Sequence, residues 1–268
     1  MNPTLFAKKI RELSLRMVHE SGGSHIGSAL SIVDILSVLY NDIMNVDLIK
    51  QKAPNRDHLI LSKGHACVSL YATLGIKGFF NLDELKTYGQ NGSNFMNHIS
   101  HKVPGVEFST GSLGHGLPYA TGIALGLKMK KINSRVYVIL GDGELAEGSN
   151  WEAMLFASHQ KLDNLFLIID NNNLQSLTTV EKTLGLESYK EKINAFGFET
   201  FIIDGHNYKA IKDSLSNNIN ASNKPTAIIA KTVKGKGVSF MENSVKWHYS
   251  SPSDEELHSA IYEINNEE

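Results

Sequence analysis

An α/β fold with a central, mostly parallel sheet flanked by helices is predicted by three observations. Two apolar, β-branched runs, Val136 to Leu140 and Leu165 to Ile169, read as buried strands, and the segment between them has helical spacing. The first run breaks at Gly141-Asp142-Gly143 and the second stops on Asp170-Asn171-Asn172-Asn173, the punctuation of a strand-turn-helix-strand unit. The same alternation continues beyond this unit with no composition shift, repeat or low-complexity linker, so residues 1–268 read as a single domain.

Composition supports a folded domain of that kind. The chain has 268 residues, of which 41% are hydrophobic and 22 are Gly, enough to bury a substantial core. Lys plus Arg total 26 against 28 for Asp plus Glu, and a net charge of -2 makes no electrostatic case for a nucleic-acid surface. The one cysteine, Cys67, excludes an intrachain disulfide framework and sits in an apolar helical context that predicts burial. The N-terminal stretch carries no leader pattern and no apolar run approaches a membrane span, so no membrane association and a cytoplasmic location are expected.

The elements follow in chain order. Thr4 to Glu20 reads as an amphipathic helix with Leu5, Ile10, Leu13, Met17 and Val18 on one side and the lysines and arginines opposite. A Gly-rich bend, Ser21 to Ser28, carries His25 and precedes an apolar helix expected from Ala29 to Tyr40. Arg56 to Ser62 reads as a short buried strand running into Lys63-Gly64-His65-Ala66, which places His65 where a strand end opens into a crevice. Asn81 with Glu84 predicts a capping box, and Thr110 to Leu117 sets glycines ahead of an apolar helix reaching about Lys130. Further on, Glu187 to Phe196 and Tyr208 to Asn220 read as helices, and Glu199 to Ile203 and Pro225 to Ala230 as strands. Ser253 to Glu256 opens a terminal helix with a second capping box.

The chemistry lies in the central unit. If its two strands are parallel and joined by a right-handed crossover, their carboxyl ends lie side by side and Asp142 and Asn172 face one pocket. Two oxygen donors at neighbouring strand ends suit a hard divalent cation, Mg2+ (or Ca2+), whose remaining positions are filled by phosphate oxygens. The ligand expected is therefore a metal diphosphate, approached closely by backbone at Gly141 and Gly143. Gly-Asp-Gly alone is also a common turn, and only its pairing with the Asn run makes the reading specific. His98 and His101, three apart, lack the context of a zinc site.

Gly141-Asp142-Gly143 followed about thirty residues on by Asn171-Asn172 resembles the thiamine-diphosphate-binding motif. Glu147-Gly148, Trp151-Glu152-Ala153 and Lys161 to Leu165 are similar to the transketolase branch of that family. The resemblance implies a pyrophosphate-binding (PP-type) thiamine diphosphate domain, with metal held by Asp142, the side chain of Asn172 and the main-chain carbonyl of Leu174. It implies cofactor contacts from His65, Gly111, Ser112, Leu113, Gly141, Asp142, Gly143, Glu147, Asn172 and His248, with Glu147 and Glu152 near a subunit interface. Sugar binding and proton transfer would fall to His25, His65, His98 and His248, while Tyr249 stands where the family commonly has Gly. Lys231 to Gly237 resembles a loop near the active-site mouth.

Full-length transketolases continue into a pyrimidine-binding and a C-terminal domain. The resemblance here covers only the diphosphate-binding part, which implies the N-terminal subunit of a split transketolase. It would transfer a two-carbon ketol unit between sugars or sugar phosphates with a C-terminal partner subunit, in a dimer or heterotetramer. The alternatives are the α subunit of a 2-oxo-acid dehydrogenase and a non-catalytic cofactor-binding subunit.

Overall fold

The computed structural model describes residues 2–185, 188–216 and 223–266. In chain order the elements are α1 (Pro3–Ser21), α2 (Ile26–Leu30), α3 (Val33–Val38), α4 (Val46–Lys50), β1 (His58–Leu61), α5 (Cys67–Ile76), α6 (Gly116–Met129), β2 (Val136–Gly141), α7 (Gly148–His159), β3 (Leu165–Asn171), α8 (Val180–Leu184), α9 (Tyr189–Ala195), β4 (Glu199–Asp204), α10 (Tyr208–Ser216), β5 (Thr226–Lys231) and α11 (Asp254–Asn266). The strands form one parallel sheet in the order β1-β2-β3-β5-β4, so every strand presents its carboxyl end at the same edge. No helix among the described residues is long and apolar enough to cross a membrane.

The apolar runs become strands because the sheet is covered on both faces. Along β2 and β3, Tyr137, Ile139, Phe166 and Ile168 join a core built with α1, α2, α3, α5, α10 and α11. Their neighbours Val138, Leu140, Leu167 and Ile169 point the other way, into a second core with α6, α7 and α9. The parallel register pairs Gly141 with Asp170, which brings Asp142 beside Asn171 as the βαβ argument requires.

Several sequence expectations are corrected. The helix expected from Ala29 to Tyr40 is broken into α2, α3 and a π turn at Leu39–Ile43. The break falls at Ser31, whose hydroxyl donates to the Ser28 carbonyl and to Asp170 instead of lying idle on a helix face. On α1, Leu5 is exposed, whereas Arg11 is buried and paired with Asp34, so the basic residues do not all face solvent. Strand β3 runs to Asn171, which makes Asp170 a fully buried strand residue. Glu187 and the segment after Ser216, each assigned to a helix from sequence, lie outside the described residues. Both capping boxes form, at Asn81 with Glu84 and at Ser253 with Glu256. Cys67 is buried, and burial pushes its thiol up to about 12.

Close backbone approach decides where glycine is required. A Cβ at Gly116 would overlap the Ser62 side chain, while one at Gly126, further along α6, would meet nothing within 4 Å. Gly116→Ala should therefore destabilise the chain by about 1–3 kcal/mol through overpacking. Gly126→Ala should instead stabilise it by about 0.5–1 kcal/mol by removing a flexible residue from a helix interior. Urea unfolding of the two variants checks this, and equal effects would show that the α6 start is not held against β1.

Candidate functional site

At the carboxyl edge of the sheet lies a cavity of about 250 Å³. Its floor is the end of β2 and the loop after β3, which contribute Gly141, Asp142, Gly143, Asn172 and Leu174. Its far wall is four imidazoles, His25, His65, His98 and His248, with Lys63 and Lys234 between wall and floor.

The Asp142 end is organised by hydrogen bonds to the loops. Its Oδ2 accepts from the backbone N–H of Asn173 at 2.6 Å and from Asn171 Nδ2 at 3.1 Å, and its Oδ1 accepts from the N–H of Gly143 at 2.8 Å. Burial, and then the nearby Asp170 carboxylate, outweigh these bonds and push Asp142 up to about 6. Asn172 is oriented from behind: its Nδ2 donates to Asp170 Oδ2 at 3.0 Å, and its Oδ1 accepts from the N–H of Leu174 at 3.0 Å. Because a carboxylate facing Lys63 only accepts, the amide nitrogen must point at Asp170, which turns the amide oxygen away from it. A carboxylate, an amide oxygen and the neighbouring Leu174 main chain make a hard-oxygen set that fits Mg2+ or Ca2+. A Cβ at Gly141 would meet no atom within 4 Å, so the strand end offers bare backbone to the cavity.

Two buried groups that sequence reasoning passed over hold this architecture. Asp170 accepts from Lys63 Nζ, Ser31 Oγ, Asn172 Nδ2 and Thr232 Oγ1, joining segments at the site ends of β1, α2, β3 and β5. Burial pushes this carboxylate up, but Lys63 and the hydrogen bonds prevail and keep it below its ordinary value. Glu144 accepts from Ser62 Oγ, from the N–H of Gly114 at 2.8 Å and from the N–H of Gly141 at 3.3 Å, fastening the Gly-rich 110–116 segment to β1 and β2. Lys234 donates to the Gln175 carbonyl at 3.1 Å and bonds His248 Nδ1 at 2.9 Å. Burial and then Lys63 lower it to about 8. A buried lysine inside a strand-end motif, as in Ser62-Lys63-Gly64, was the sequence signal available.

The histidines come from four separate segments. His25 caps α2 in a left-handed conformation, φ 68°, and its N–H donates to the His248 carbonyl at 2.8 Å. Ring centroids of His25 lie 5.1 Å from His65, 5.7 Å from His98 and 4.7 Å from His248. Burial and then His98 and the two lysines lower His25 to about 4, and burial with Lys234 and His25 lowers His248 to about 3. His65 is held well below its ordinary value and His98 is lowered, in both cases foremost by burial. All four are therefore neutral at physiological pH. His25 Nδ1 is buried without a hydrogen-bond partner among the described residues, a ring nitrogen left for a ligand.

Not every residue expected at the site reaches it. Gly111 and Leu113 line the cavity, but Ser112 is exposed and absent from its wall. Glu147 is likewise exposed, and the acid that faces the cavity is Glu144, three residues earlier on the turn. His115 and His101 are exposed and bond locally to Leu113 and Ser109. Tyr249 is 59% exposed and packs its ring 4.8 Å from His248 and 6.0 Å from His25, on the rim.

Comparison with known proteins agrees with this geometry. Residues 3–264 match the family model described as transketolase, thiamine diphosphate binding domain. An apulose-4-phosphate transketolase subunit from Phocaeicola vulgatus is 40% identical over 97% of this chain and 93% of that protein. The 6-deoxy-6-sulfo-D-fructose transketolase subunit SqwG of a Clostridium species is 37% identical over 97% of this chain and 95% of its own length. The solved transketolase of Campylobacter jejuni superposes with a TM-score of 0.90 at 34% identity, covering 99% of this chain and 43% of that one. Human transketolase is 38% identical over 90% of this chain and 38% of its length, so the chain spans well under half of the one-chain relatives. Matched over nearly all its length by the family model and by subunits of its own size, the chain belongs to the transketolase family, where it corresponds to the thiamine diphosphate binding domain.

Proposed function

We propose that this chain is the N-terminal subunit of a two-chain transketolase, a transferase that moves a two-carbon ketol unit from a ketose to an aldose, the sugars free or phosphorylated. The observation that carries the reading is the cavity itself, with an oxygen donor set at one end and four neutral imidazoles at the other. Relatives of this length, themselves named as transketolase subunits, support a separate C-terminal partner chain, in a heterotetramer of two of each.

Thiamine diphosphate, when bound, supplies the carbanion chemistry of the transfer. This chain's residues do the rest. Asp142, the Asn172 side-chain oxygen and the Leu174 carbonyl would hold Mg2+ or Ca2+, and Gly141 and Gly143 leave room for diphosphate oxygens. Lys63 and Lys234 put positive charge on the same wall. His25, His65, His98 and His248 bind sugar hydroxyls, and as neutral rings each can accept a proton at one nitrogen and donate one at the other. Burial does for them what a carboxylate partner would undo, keeping the basic nitrogen unprotonated at neutral pH.

Calorimetric titration with thiamine diphosphate and Mg2+, with and without the C-terminal subunit, tests the reading. Binding should tighten with the partner and fall at least about 100-fold in Asp142→Ala, as for loss of a metal ligand. No binding in either case would leave a non-catalytic subunit. His65→Ala and His98→Ala should each lower ketol-transfer turnover by about 100-fold or more, with far-ultraviolet circular dichroism unchanged. Unaltered turnover would remove that histidine from the chemistry.

The histidine wall also predicts a pH response. With folded values of about 4 and about 3 against 6.5 unfolded, His25 and His248 bind fewer protons in the native chain, so the chain loses stability as pH falls below about 6.5. Asp142, raised to about 6, acts in the opposite sense below that pH, so the informative quantity is a difference. The fall in Tm between pH 7 and pH 5 should be smaller in His25→Gln than in the unaltered chain. Identical slopes would mean that His25 is protonated in the fold.

A further inference from the structure

A second cleft of about 160 Å³ shares no lining residue with the cavity and sits on the other side of the 231–237 loop. In it Arg11 of α1, Asp34 of α3 and His206, just after β4, meet. Arg11 Nη2 donates to Asp34 Oδ2 at 2.6 Å, and His206 Nδ1 lies 2.7 Å from the same oxygen. The backbone N–H of Val233 donates to His206 Nε2 at 2.8 Å, and Arg11 Nε donates to the Lys236 carbonyl at 3.1 Å. Burial pushes Asp34 up, but the charge of Arg11 and the bonds from His206 and Arg11 prevail and hold it at about 2.

These contacts determine the imidazole's state. A backbone N–H can only donate, so Nε2 accepts and the ring proton resides on Nδ1, aimed at the Asp34 carboxylate. The two backbone groups that are gripped, Val233 N–H and Lys236 C=O, bracket Lys234, the residue that crosses into the cavity to meet Gln175 and His248. Between them, the Gly235 N–H donates to the Gly27 carbonyl, and the Lys234 carbonyl accepts from the N–H of Asn243.

We propose that Arg11, Asp34 and His206 are positioning residues that latch the 231–237 loop from outside the cavity and so set where Lys234 stands within it. Asp34 is the anchor, with one oxygen receiving donors from both Arg11 and His206; His206 converts that anchor into an acceptor placed at Val233. None of the three lines the cavity, so the effect passes through the loop backbone. Its consequence for cofactor binding rests on the function proposed above, whereas the latch itself does not.

Two substitutions separate the latch from mere packing. Gln places an acceptor near the position of Nε2 and Asn near that of Nδ1, so His206→Gln keeps an acceptor for Val233 while His206→Asn does not. Amide hydrogen exchange on the full chain without cofactor should show residues 232–237 exchanging about tenfold or more faster in His206→Asn and near the unaltered rate in His206→Gln, with β2 and β3 unchanged in both. Pulsed acetylation of Lys234 should rise in the same order. Protection retained in His206→Asn, or equal loosening in both variants, would overturn the latch. On chain that binds thiamine diphosphate and Mg2+, His206→Asn should weaken that binding about tenfold and His206→Gln should not. Failure of the unaltered chain to bind would count against the proposed function, and the exchange rates would still decide the latch.

Discussion

The buried ion pair of Lys63 and Asp170 is the interaction on which the site depends. Asp170 has no solvent exposure and Lys63 almost none, and a lone charge in that position would be costly enough to force neutralisation or unfolding. The pair is tolerated because both partners are well satisfied: Ser31, Thr232 and Asn172 complete the carboxylate, and the Ser28 carbonyl receives the ammonium. Each of the carboxylate's partners belongs to a different segment arriving at the carboxyl edge of the sheet. Satisfying one buried charge therefore ties the ends of α2, β1, β3 and β5 together and, through Asn172, aims an oxygen donor. It also accounts for the broken helix at Ser31, whose hydroxyl is claimed by the carboxylate.

A second constraint acts on the opposite wall. Three imidazoles ring His25, each with its centroid no more than 5.7 Å away. With two lysines beside them, the four rings cannot carry many protons at once. Like-charge proximity and burial push in the same direction, so the rings remain neutral and available as hydrogen-bond partners. At the floor of the cavity the same physics runs the other way: Asp142, held near Asp170, is an acid raised by burial and by a like charge, which a bound cation would relieve. The cavity thus separates a place for positive charge from a place for neutral proton carriers.

Much of this was legible from residues in order. The Gly-Asp-Gly turn and the Asn run, read as ends of two parallel strands, placed Asp142 and Asn172 together, and the register of β2 on β3 agrees. His65 at the close of β1 and the glycines before α6 could be assigned to the same edge because a parallel sheet delivers all strand ends to one side. Glu147 and Ser112 show the limit of such reasoning. Motif similarity assigns them to a neighbourhood, but a helical turn moves consecutive side chains by about 100° apiece, and here it carries Glu144 inward and leaves Glu147 in solvent.

What the sequence by itself determined is the α/β alternation, the strand ends and the oxygen donors carried on them, because those follow from local periodicity and turn chemistry. What only the tertiary structure decided is how charge is settled among distant segments: Lys63 with Asp170, Glu144 among three loops, Lys234 against His248, and Arg11 with Asp34 and His206. Those pairings span up to 172 positions in the chain, as between His206 and Asp34. They exist because the folded interior is too poor a solvent to leave any ionised group alone, a condition that no local pattern of residues encodes.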